Sequence, residues 1–148
     1  MKPSPTEYRG TVFRSKSEAV IARGFDLESI QWRYEPSEYE VDGWVPDFEI
    51  DSSKTEWWIV VEYKPTQITR TYRDLLKKRF KELRENWRLE YPGEPNDLAT
   101  GLLIGSPFSD KTASFEVFSN HGSTMFDIPE FYRSWHEAKR YRFDLAGF

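Results

Sequence analysis

The chain has 148 residues and a formal net charge of −4, and 38% of its residues are hydrophobic. This length predicts one domain spanning residues 1–148, and the hydrophobic content is that of a packed globule, which excludes a disordered chain. The chain contains no cysteine and two histidines, which excludes disulfides and the usual zinc sites and leaves carboxylates as the groups for any metal chemistry.

The hydropathy pattern shows no sign of a membrane protein. No apolar stretch is long enough for a membrane span, and the first residues, M-K-P-S-P-T-E-Y, contain no signal-peptide apolar region. We therefore expect a cytoplasmic protein with no membrane partner.

The first half of the chain predicts a helix followed by three strands. Apolar residues recur at helical spacing over residues 17–30, and Ser15 and Glu18 match a capping box at the start of this helix. Turn-forming residues such as Asp42 and Gly43 separate the apolar runs that follow. Three β-strands are predicted, at residues 34–41, 44–50 and 57–64.

The second half predicts a helix, two short strands and a last helix. A helix is expected over residues 69–87, and a loop rich in proline and glycine follows at 92–96. Core strands at 101–105 and 114–118, and a helix that begins near Pro129, complete the pattern. This order of elements indicates an α/β protein with a mixed sheet flanked by helices.

A charged pair ends the most apolar strand. Residues 57–65 read W-W-I-V-V-E-Y-K-P, so Glu62 and Lys64 follow directly on a run that would be buried in a sheet. An ionised group buried without a partner costs roughly several kcal/mol, so charges at this place indicate a function. Strand alternation puts Glu62 and Lys64 on one face, about 7 Å apart, and a hairpin can bring Asp47 beside Glu62.

Two carboxylates at a strand end form a site for a hard divalent cation. Mg²⁺ prefers oxygen ligands and usually keeps several waters beside one or two carboxylates. A bound metal is a Lewis acid and makes its water more acidic, and a lysine on the same face can orient or deprotonate the attacking water. Asp47, Glu62 and Lys64 therefore indicate a metal-dependent phosphodiesterase. Either half of the motif alone would be a common pattern; their order and spacing carry the prediction.

The motif resembles that of a known superfamily. Pro46-Asp47 followed by Glu62-x-Lys64 is similar to the motif of the PD-(D/E)XK nucleases, and the runs F-R-S-K-S-E-A, W-R-Y-E-P, V-P-D-F and V-E-Y-K-P resemble small phage and bacterial members. A looser similarity is to the endonuclease subunit of heteromeric transposases. The resemblance covers about residues 8–106. It implies a restriction-endonuclease-like α-β-β-β-α-β core, dependence on Mg²⁺ or Mn²⁺, and hydrolysis of DNA.

The resemblance also assigns roles to residues. It implies that Asp47 and Glu62 are metal ligands, that Lys64 is the catalytic lysine, and that the main-chain carbonyl of Val61 or Tyr63 is a further ligand. Glu18 matches an extra acidic position of the superfamily, where it would act on the metal indirectly or through a bridging water. The capping box explains Glu18 equally well, so both roles stay open.

The predicted second helix carries a stripe of positive charge. Residues 69–90 hold eight Lys/Arg against four Asp/Glu, and at about 100° per residue six of the basic side chains fall within an arc of about 80°. They are Arg70, Arg73, Lys77, Lys81, Arg84 and Arg88. A stripe of one sign predicts a nucleic-acid-binding surface that follows phosphates. The alternative is an ordinary exposed face whose Lys and Arg stems cover the edge of the core.

Two functions fit these features. The first is a Mg²⁺-dependent DNA endonuclease, acting as a homodimer or within a larger recombination or phage complex, because a single site cuts one strand. The second is a catalytically silent relative that binds DNA or a partner protein through the same fold. The repulsion between two carboxylates without a cation favours the enzyme. The sequence leaves open the choice between DNA and RNA.

Overall fold

A computed structural model of the chain describes residues 4–51, 58–109, 113–126 and 129–145. Within these ranges the chain forms a six-stranded mixed sheet, a small three-stranded sheet and three α-helices. The helices are α1 (Lys16–Leu27), α2 (Arg70–Glu90) and α3 (Pro129–Ala138), and a 3₁₀ helix covers Ser37–Tyr39. The strands are β1 (Thr6–Tyr8), β2 (Thr11–Phe13), β3 (Gln31–Tyr34), β4 (Phe48–Asp51), β5 (Trp58–Lys64), β6 (Ala99–Ile104), β7 (Ser114–Ser119), β8 (Gly122–Phe126) and β9 (Asp144–Leu145).

The large sheet has the strand order β3-β4-β5-β6-β7-β8. Strands β3, β4 and β5 form an antiparallel meander, β6 lies parallel to β5, and β7 and β8 continue antiparallel. A parallel neighbour requires a crossover connection, and α2 lies in the connection between β5 and β6. Strand β5 is therefore inside the sheet, with a hydrogen-bonded partner on each side.

Helices cover both faces of the large sheet. Alternate residues of a strand point to opposite faces. On one face, Val61 of β5 belongs to the buried cluster that contains Phe25 of α1 and Trp135 of α3. On the other face, Val60 belongs to a cluster with Leu83 of α2. Because both faces are covered, the central residues of β5 are apolar and buried up to the point where the charges begin.

Helices α1 and α3 approach each other closely at Gly24. A Cβ atom on residue 24 would lie 2.8 Å from Cδ1 of the Trp135 ring, so the absence of a side chain makes room for the indole. The small sheet, of order β2-β1-β9, lies beside the same helix, and Tyr8 and Phe13 from this sheet join the same buried cluster. The N-terminal strands thus pack against α1 as well.

The first turn of α1 is fixed by its cap. Ser15 is the N-cap, and its hydroxyl accepts a hydrogen bond from the Glu18 N–H at 3.2 Å. The hydroxyl also donates to Oε1 of Glu18 at 2.9 Å, so the carboxylate binds the Ser15 side chain. The predicted cap is confirmed, and Oε2 of Glu18 is left for other partners.

The coarse prediction, an α/β protein with a mixed sheet and helices, is confirmed. Helices α1 and α2 begin within a residue or two of their predicted starts, and β6 and β7 lie close to the predicted core strands. In the part of the chain that the structure describes, no helix combines the length and the apolar composition needed to cross a bilayer. Trp57, which belonged to the strand predicted at 57–64, lies outside the described residues.

The strand predicted at 34–41 is wrong. Strand β3 ends at Tyr34, and the next residue, Glu35, has a φ of +47°, which is not a strand conformation. Pro36 follows and precedes the 3₁₀ helix. The β-favouring residues in this stretch suggested a strand, but the backbone turn after Tyr34 overrides that preference.

The strand predicted at 44–50 begins later than expected, at Phe48. Asp42 and Gly43 both have positive φ and form a turn in which Val41 bridges Trp44. Residue 47 therefore stands just before β4. Its side chain is at the sheet margin, where a strand end can present a functional group.

Candidate active site

Asp47 and Glu62 meet at one end of the large sheet. In the register of β4 and β5, Phe48 pairs with Val61, so the residue before β4 faces the residue that follows Val61. Each of the two acidic residues is only 4% exposed. The hairpin predicted from the sequence thus brings both carboxylates to one buried place.

The two oxygens of Asp47 have different partners. Oδ2 accepts a hydrogen bond from the main-chain N–H of Tyr63 at 2.8 Å. Oδ1 accepts one from Nη2 of Arg14 at 2.6 Å. The first bond fixes the carboxylate to the neighbouring strand, and the second joins it to the segment between β2 and α1.

The carboxylate of Glu62 is bonded on one side and bare on the other. Oε2 accepts a hydrogen bond from Nε1 of Trp44 at 3.0 Å and lies 3.4 Å from Nζ of Lys64. Oε1 is buried, and no donor among the described residues reaches it. A buried carboxylate oxygen without a partner is costly, so the folded protein holds an acceptor that a cation or a proton would satisfy.

The proximity of the two carboxylates is expressed in the pKa of Asp47. Burial, followed by the charge and hydrogen-bonding contact of Glu62, raises this pKa to about 8, while the Tyr63 N–H and Arg14 oppose the shift less strongly. A carboxyl with such a pKa holds its proton at neutral pH. The pair therefore needs a proton or a cation between its oxygens.

This arrangement fits a divalent metal ion. The bare Oε1 of Glu62 and the adjacent Asp47 offer two oxygen ligands in a buried setting. Across the described ranges, no cluster of three or more His, Cys, Asp or Glu side chains is placed to hold a metal. A bound ion would therefore complete its coordination with main-chain oxygens and water, as Mg²⁺ usually does.

Lys64 lies on the same face of β5 as Glu62. Its Nζ is 5.3 Å from the centroid of the Tyr72 ring on α2, and the side chain is 27% exposed. Burial lowers the pKa of Lys64, but Glu62 and Tyr72 outweigh this effect and the net pKa is raised. Lys64 therefore carries its charge at neutral pH, beside the carboxylate of Glu62.

Glu18 takes part in the helix cap and also lies close to Asp47. Its carboxylate takes part in the cap through Ser15, and its Oε2 accepts a hydrogen bond from the Tyr34 hydroxyl at 3.1 Å. Nη2 of Arg14 is 3.8 Å from the same oxygen. Burial and then the charge of Asp47 raise the pKa of Glu18. The two acids therefore interact electrostatically, even with Arg14 between them.

Tyr63 belongs to the site through its backbone. Its N–H binds Asp47, whereas its ring is buried in the cluster beneath α1, on the face away from Glu62. Any bond from Tyr63 to a metal would therefore come from its main-chain carbonyl, and the phenol is a core residue.

Three site residues were not singled out from the sequence. Arg14 binds Asp47, Trp44 binds Glu62, and Tyr72 lies under Lys64. Arg14 stands four residues before Glu18, and Trp44 three residues before Asp47, so their closeness to the motif was the available signal. Neither position, however, has a spacing that predicts contact, since each lies outside the helices and strands.

The basic stripe of α2 is only partly free to bind a ligand. Arg70, Lys77 and Lys81 are exposed. Arg73 is half-buried, forms an ion pair with Glu116 of β7, and lies 5.8 Å from the centroid of the Phe118 ring. The first half of the stripe therefore presents most of its charge to solvent.

Arg84 and Arg88 are directed into the protein. Arg84 is 8% exposed, and its Nη1 donates to Oγ1 of Thr100 at 2.8 Å. Arg88 forms an ion pair with Asp97, and its Nη1 donates to the main-chain oxygen of Glu94 at 2.7 Å. These internal bonds remove Arg84 and Arg88 from the predicted phosphate-binding surface, because a long basic side chain can turn back to neighbouring strands and loops.

Comparison of the chain with family models, with curated proteins and with solved structures finds no match.

Proposed function

We propose that the protein is a metal-dependent DNA endonuclease that hydrolyses phosphodiester bonds. The observation that carries the proposal is the buried pair of Asp47 and Glu62 with the charged Lys64 beside it. The two carboxylates are buried side by side, and Oε1 of Glu62 lacks a donor among the described residues. A site built to hold a divalent ion explains both features.

The order of elements supports the same proposal. Helix α1, strands β3, β4 and β5, helix α2 and strand β6 follow one another along the chain, which is the succession implied by the resemblance to PD-(D/E)XK nucleases. Strands β7 and β8 extend the sheet beyond this succession. We propose that the core is restriction-endonuclease-like and that these strands are additions to it.

In the proposed reaction a water oxygen attacks phosphorus, the bond from phosphorus to the leaving oxygen breaks, and the leaving oxygen takes a proton. Asp47 and Glu62 would hold Mg²⁺ or Mn²⁺, which supplies Lewis acidity and a more acidic bound water. Lys64 offsets the negative charge that develops on the phosphate. Trp44 and Tyr72 keep Glu62 and Lys64 in place, since each contacts one of them.

Nucleic acid would approach across the first half of α2. Arg70, Lys77 and Lys81 are exposed there, on the helix that also carries Tyr72 into the site. Exposed basic side chains bind phosphates without reading sequence. Because a single site cuts one strand, a break in duplex DNA would require a second copy of the chain or another nuclease in the complex.

A cleavage assay with isosteric variants tests the proposal. Asp47→Asn, Glu62→Gln and Lys64→Ala should each lower the rate of metal-dependent cleavage at least about 100-fold, because each removes charge from the reacting centre. Glu49→Gln is the matched control: Glu49 is also 4% exposed, on β4, but binds Arg33 and Tyr39 away from the site.

The assay uses single-stranded, duplex and branched DNA and an RNA of the same sequence, with Mg²⁺, Mn²⁺ or EDTA. Metal-dependent cutting by the wild type and by Glu49→Gln, but not by the three site variants, is the expected result. Cleavage that survives both Asp47→Asn and Glu62→Gln would place the chemistry elsewhere. A wild type that binds DNA but cuts no substrate would favour a silent binding module.

A further inference from the structure

The guanidinium of Arg14 is placed among three carboxylates. Its Nη2 lies 2.6 Å from Oδ1 of Asp47 and 3.8 Å from Oε2 of Glu18. Its Nε lies 3.0 Å from Oε1 of Glu35 and donates to the Tyr34 hydroxyl at 3.3 Å. The guanidinium thus contacts the buried acids through Nη2 and the more exposed Glu35 through Nε.

The contacts of Arg14 with Asp47 and Glu18 compensate buried charge. Asp47 and Glu18 are 4% and 6% exposed, so their carboxylates are poorly solvated and repel each other when both are ionised. A guanidinium hydrogen-bonded to Asp47 and 3.8 Å from Glu18 offsets this repulsion, because charged contacts are strong where water is excluded. The metal-free protein therefore already contains a cation at its pair of acids.

The same contacts stand in the way of a metal. Oδ1 of Asp47 is taken by Arg14, and Oδ2 is taken by the N–H of Tyr63. A divalent ion bound to Asp47 would carry two positive charges within a few ångströms of the guanidinium, and like charges at that range destabilise each other. Of the two partners, only the arginine side chain can leave, since the Tyr63 N–H is part of the backbone of β5.

The ion pair with Glu35 provides Arg14 with an alternative position. The Arg14 side chain is 65% exposed, and Glu35 is 41% exposed, so neither is locked by packing. The N–H of Glu35 donates to the main-chain oxygen of Asp47 at 2.8 Å, which keeps Glu35 next to the site. A rotation about the side-chain bonds of Arg14 would break its contacts with Asp47 and Glu18 and keep its ion pair with Glu35.

We propose that Arg14 is an exchangeable cation, which binds Asp47 and lies beside Glu18 in the metal-free protein and withdraws to Glu35 when a divalent ion binds. This inference rests on the proposed function, because it requires a metal at the site. Arg14 would then compete with the ion for Asp47 and so set the affinity for the ion. It would also stabilise the site before the ion binds.

Titration with Mn²⁺, followed by the EPR signal of the free ion, tests the exchange. Removing a competing cation should tighten binding, so Arg14→Gln is expected to bind Mn²⁺ about tenfold more tightly than the wild type. Its melting temperature without metal should fall. Arg9→Gln is the matched control: Arg9 is also 65% exposed and pairs with Asp26, but it lies away from the site, so its Mn²⁺ affinity should equal that of the wild type.

A second measurement follows the wild type and uses a variant, with the charge kept, only to assign the signals. The side-chain ¹⁵N signals of Arg14, assigned by their loss in Arg14→Lys, should shift on saturation with Mg²⁺, while those of Arg9 stay in place. Signals of Arg14 that do not move at saturation would overturn the exchange.

The possible failures are distinguishable. If the wild type binds Mn²⁺ and cuts DNA but Arg14→Gln binds no more tightly, the exchange is wrong and the proposed function stands. If neither protein binds Mn²⁺, both proposals fail. Binding by Arg14→Gln alone would support Arg14 as the competitor and contradict a working metal site in the wild type.

Discussion

A single hydrogen bond decides how far Asp47 can move. The Tyr63 N–H that binds its Oδ2 belongs to the interior strand β5, so the carboxylate is tied to the most constrained part of the sheet. Its other oxygen is bonded to Arg14, a side chain that is mostly exposed. At the scale of one residue, Asp47 is held on one side by the backbone and on the other by an exposed side chain.

The pKa of Asp47 predicts a dependence of stability on pH. In the folded protein this pKa is about 8, whereas an unfolded chain has about 3.9. Between pH 5 and 8 the folded state holds a proton that the unfolded state has lost, so stability without metal should fall as pH rises. Asp47→Asn cannot titrate and should flatten this slope in urea unfolding measured from pH 5 to 8.

A control for this prediction is Asp97→Asn. Its hydrogen bond with Arg88 lowers the pKa of Asp97, so the residue is ionised in both states throughout that window and its loss should leave the slope unchanged. Equal slopes for the wild type and Asp47→Asn would contradict a raised pKa at Asp47.

The basic side chains of helix α2 have two different environments along its length. Its first half exposes Lys77 and Lys81, whereas Arg84 is buried in a hydrogen bond to Thr100. All three residues fall on one stripe when the sequence is drawn at helical spacing. The difference arises from what lies opposite each turn, because β6 and the neighbouring turn approach the second half of the helix and offer acceptors to a long side chain.

This division predicts different effects of two substitutions on DNA binding. Lys77→Ala with Lys81→Ala, made in a Glu62→Gln background that does not cut, should weaken binding and reduce the salt slope by about one unit per lost phosphate contact. Arg84→Ala should instead destabilise the fold by about 2 kcal/mol, because Thr100 loses a charged, buried partner. Binding across a salt series and urea unfolding measure the two effects.

Arg140→Ala serves as the control for the salt series. Arg140 is exposed directly after α3, on the other side of the sheet from α2, so its removal should leave the salt slope unchanged. A slope that responds to Arg140 and not to the two lysines would move the nucleic-acid surface to the opposite face.

The contact between α1 and α3 yields a prediction about packing. Gly24→Ala gains about 1 kcal/mol in helix propensity, but its Cβ would lie 2.8 Å from the Trp135 ring. We expect a net loss of about 1 to 3 kcal/mol, measured by urea unfolding, because the rigid indole has to shift. Gly93→Ala, with no atom within 4 Å of its Cβ, is the matched control and should be nearly neutral. Greater stability of Gly24→Ala would show that the helices can separate without cost.

For the whole molecule, the sequence predicts the site better than its surroundings. The positions of Glu62 and Lys64 could be predicted because side chains alternate along a strand with a fixed period of two, and that of Asp47 because a hairpin has few registers. The contact of Arg14 with Asp47 could not be predicted, since the two residues are 33 positions apart and Arg14 lies in a segment without helix or strand. The turn at Glu35, where φ is +47°, likewise depends on tertiary contacts that local preference does not encode.

The position of β5 between β4 and β6 has a consequence for the lifetime of the site. A strand at the edge of a sheet can detach while the rest of the protein stays folded, but an interior strand can be released only when the sheet itself comes apart. The backbone that carries Glu62 and Lys64 therefore stays folded for as long as the sheet does. Side chains and solvent can move many times around this backbone, which stays assembled until the sheet unfolds.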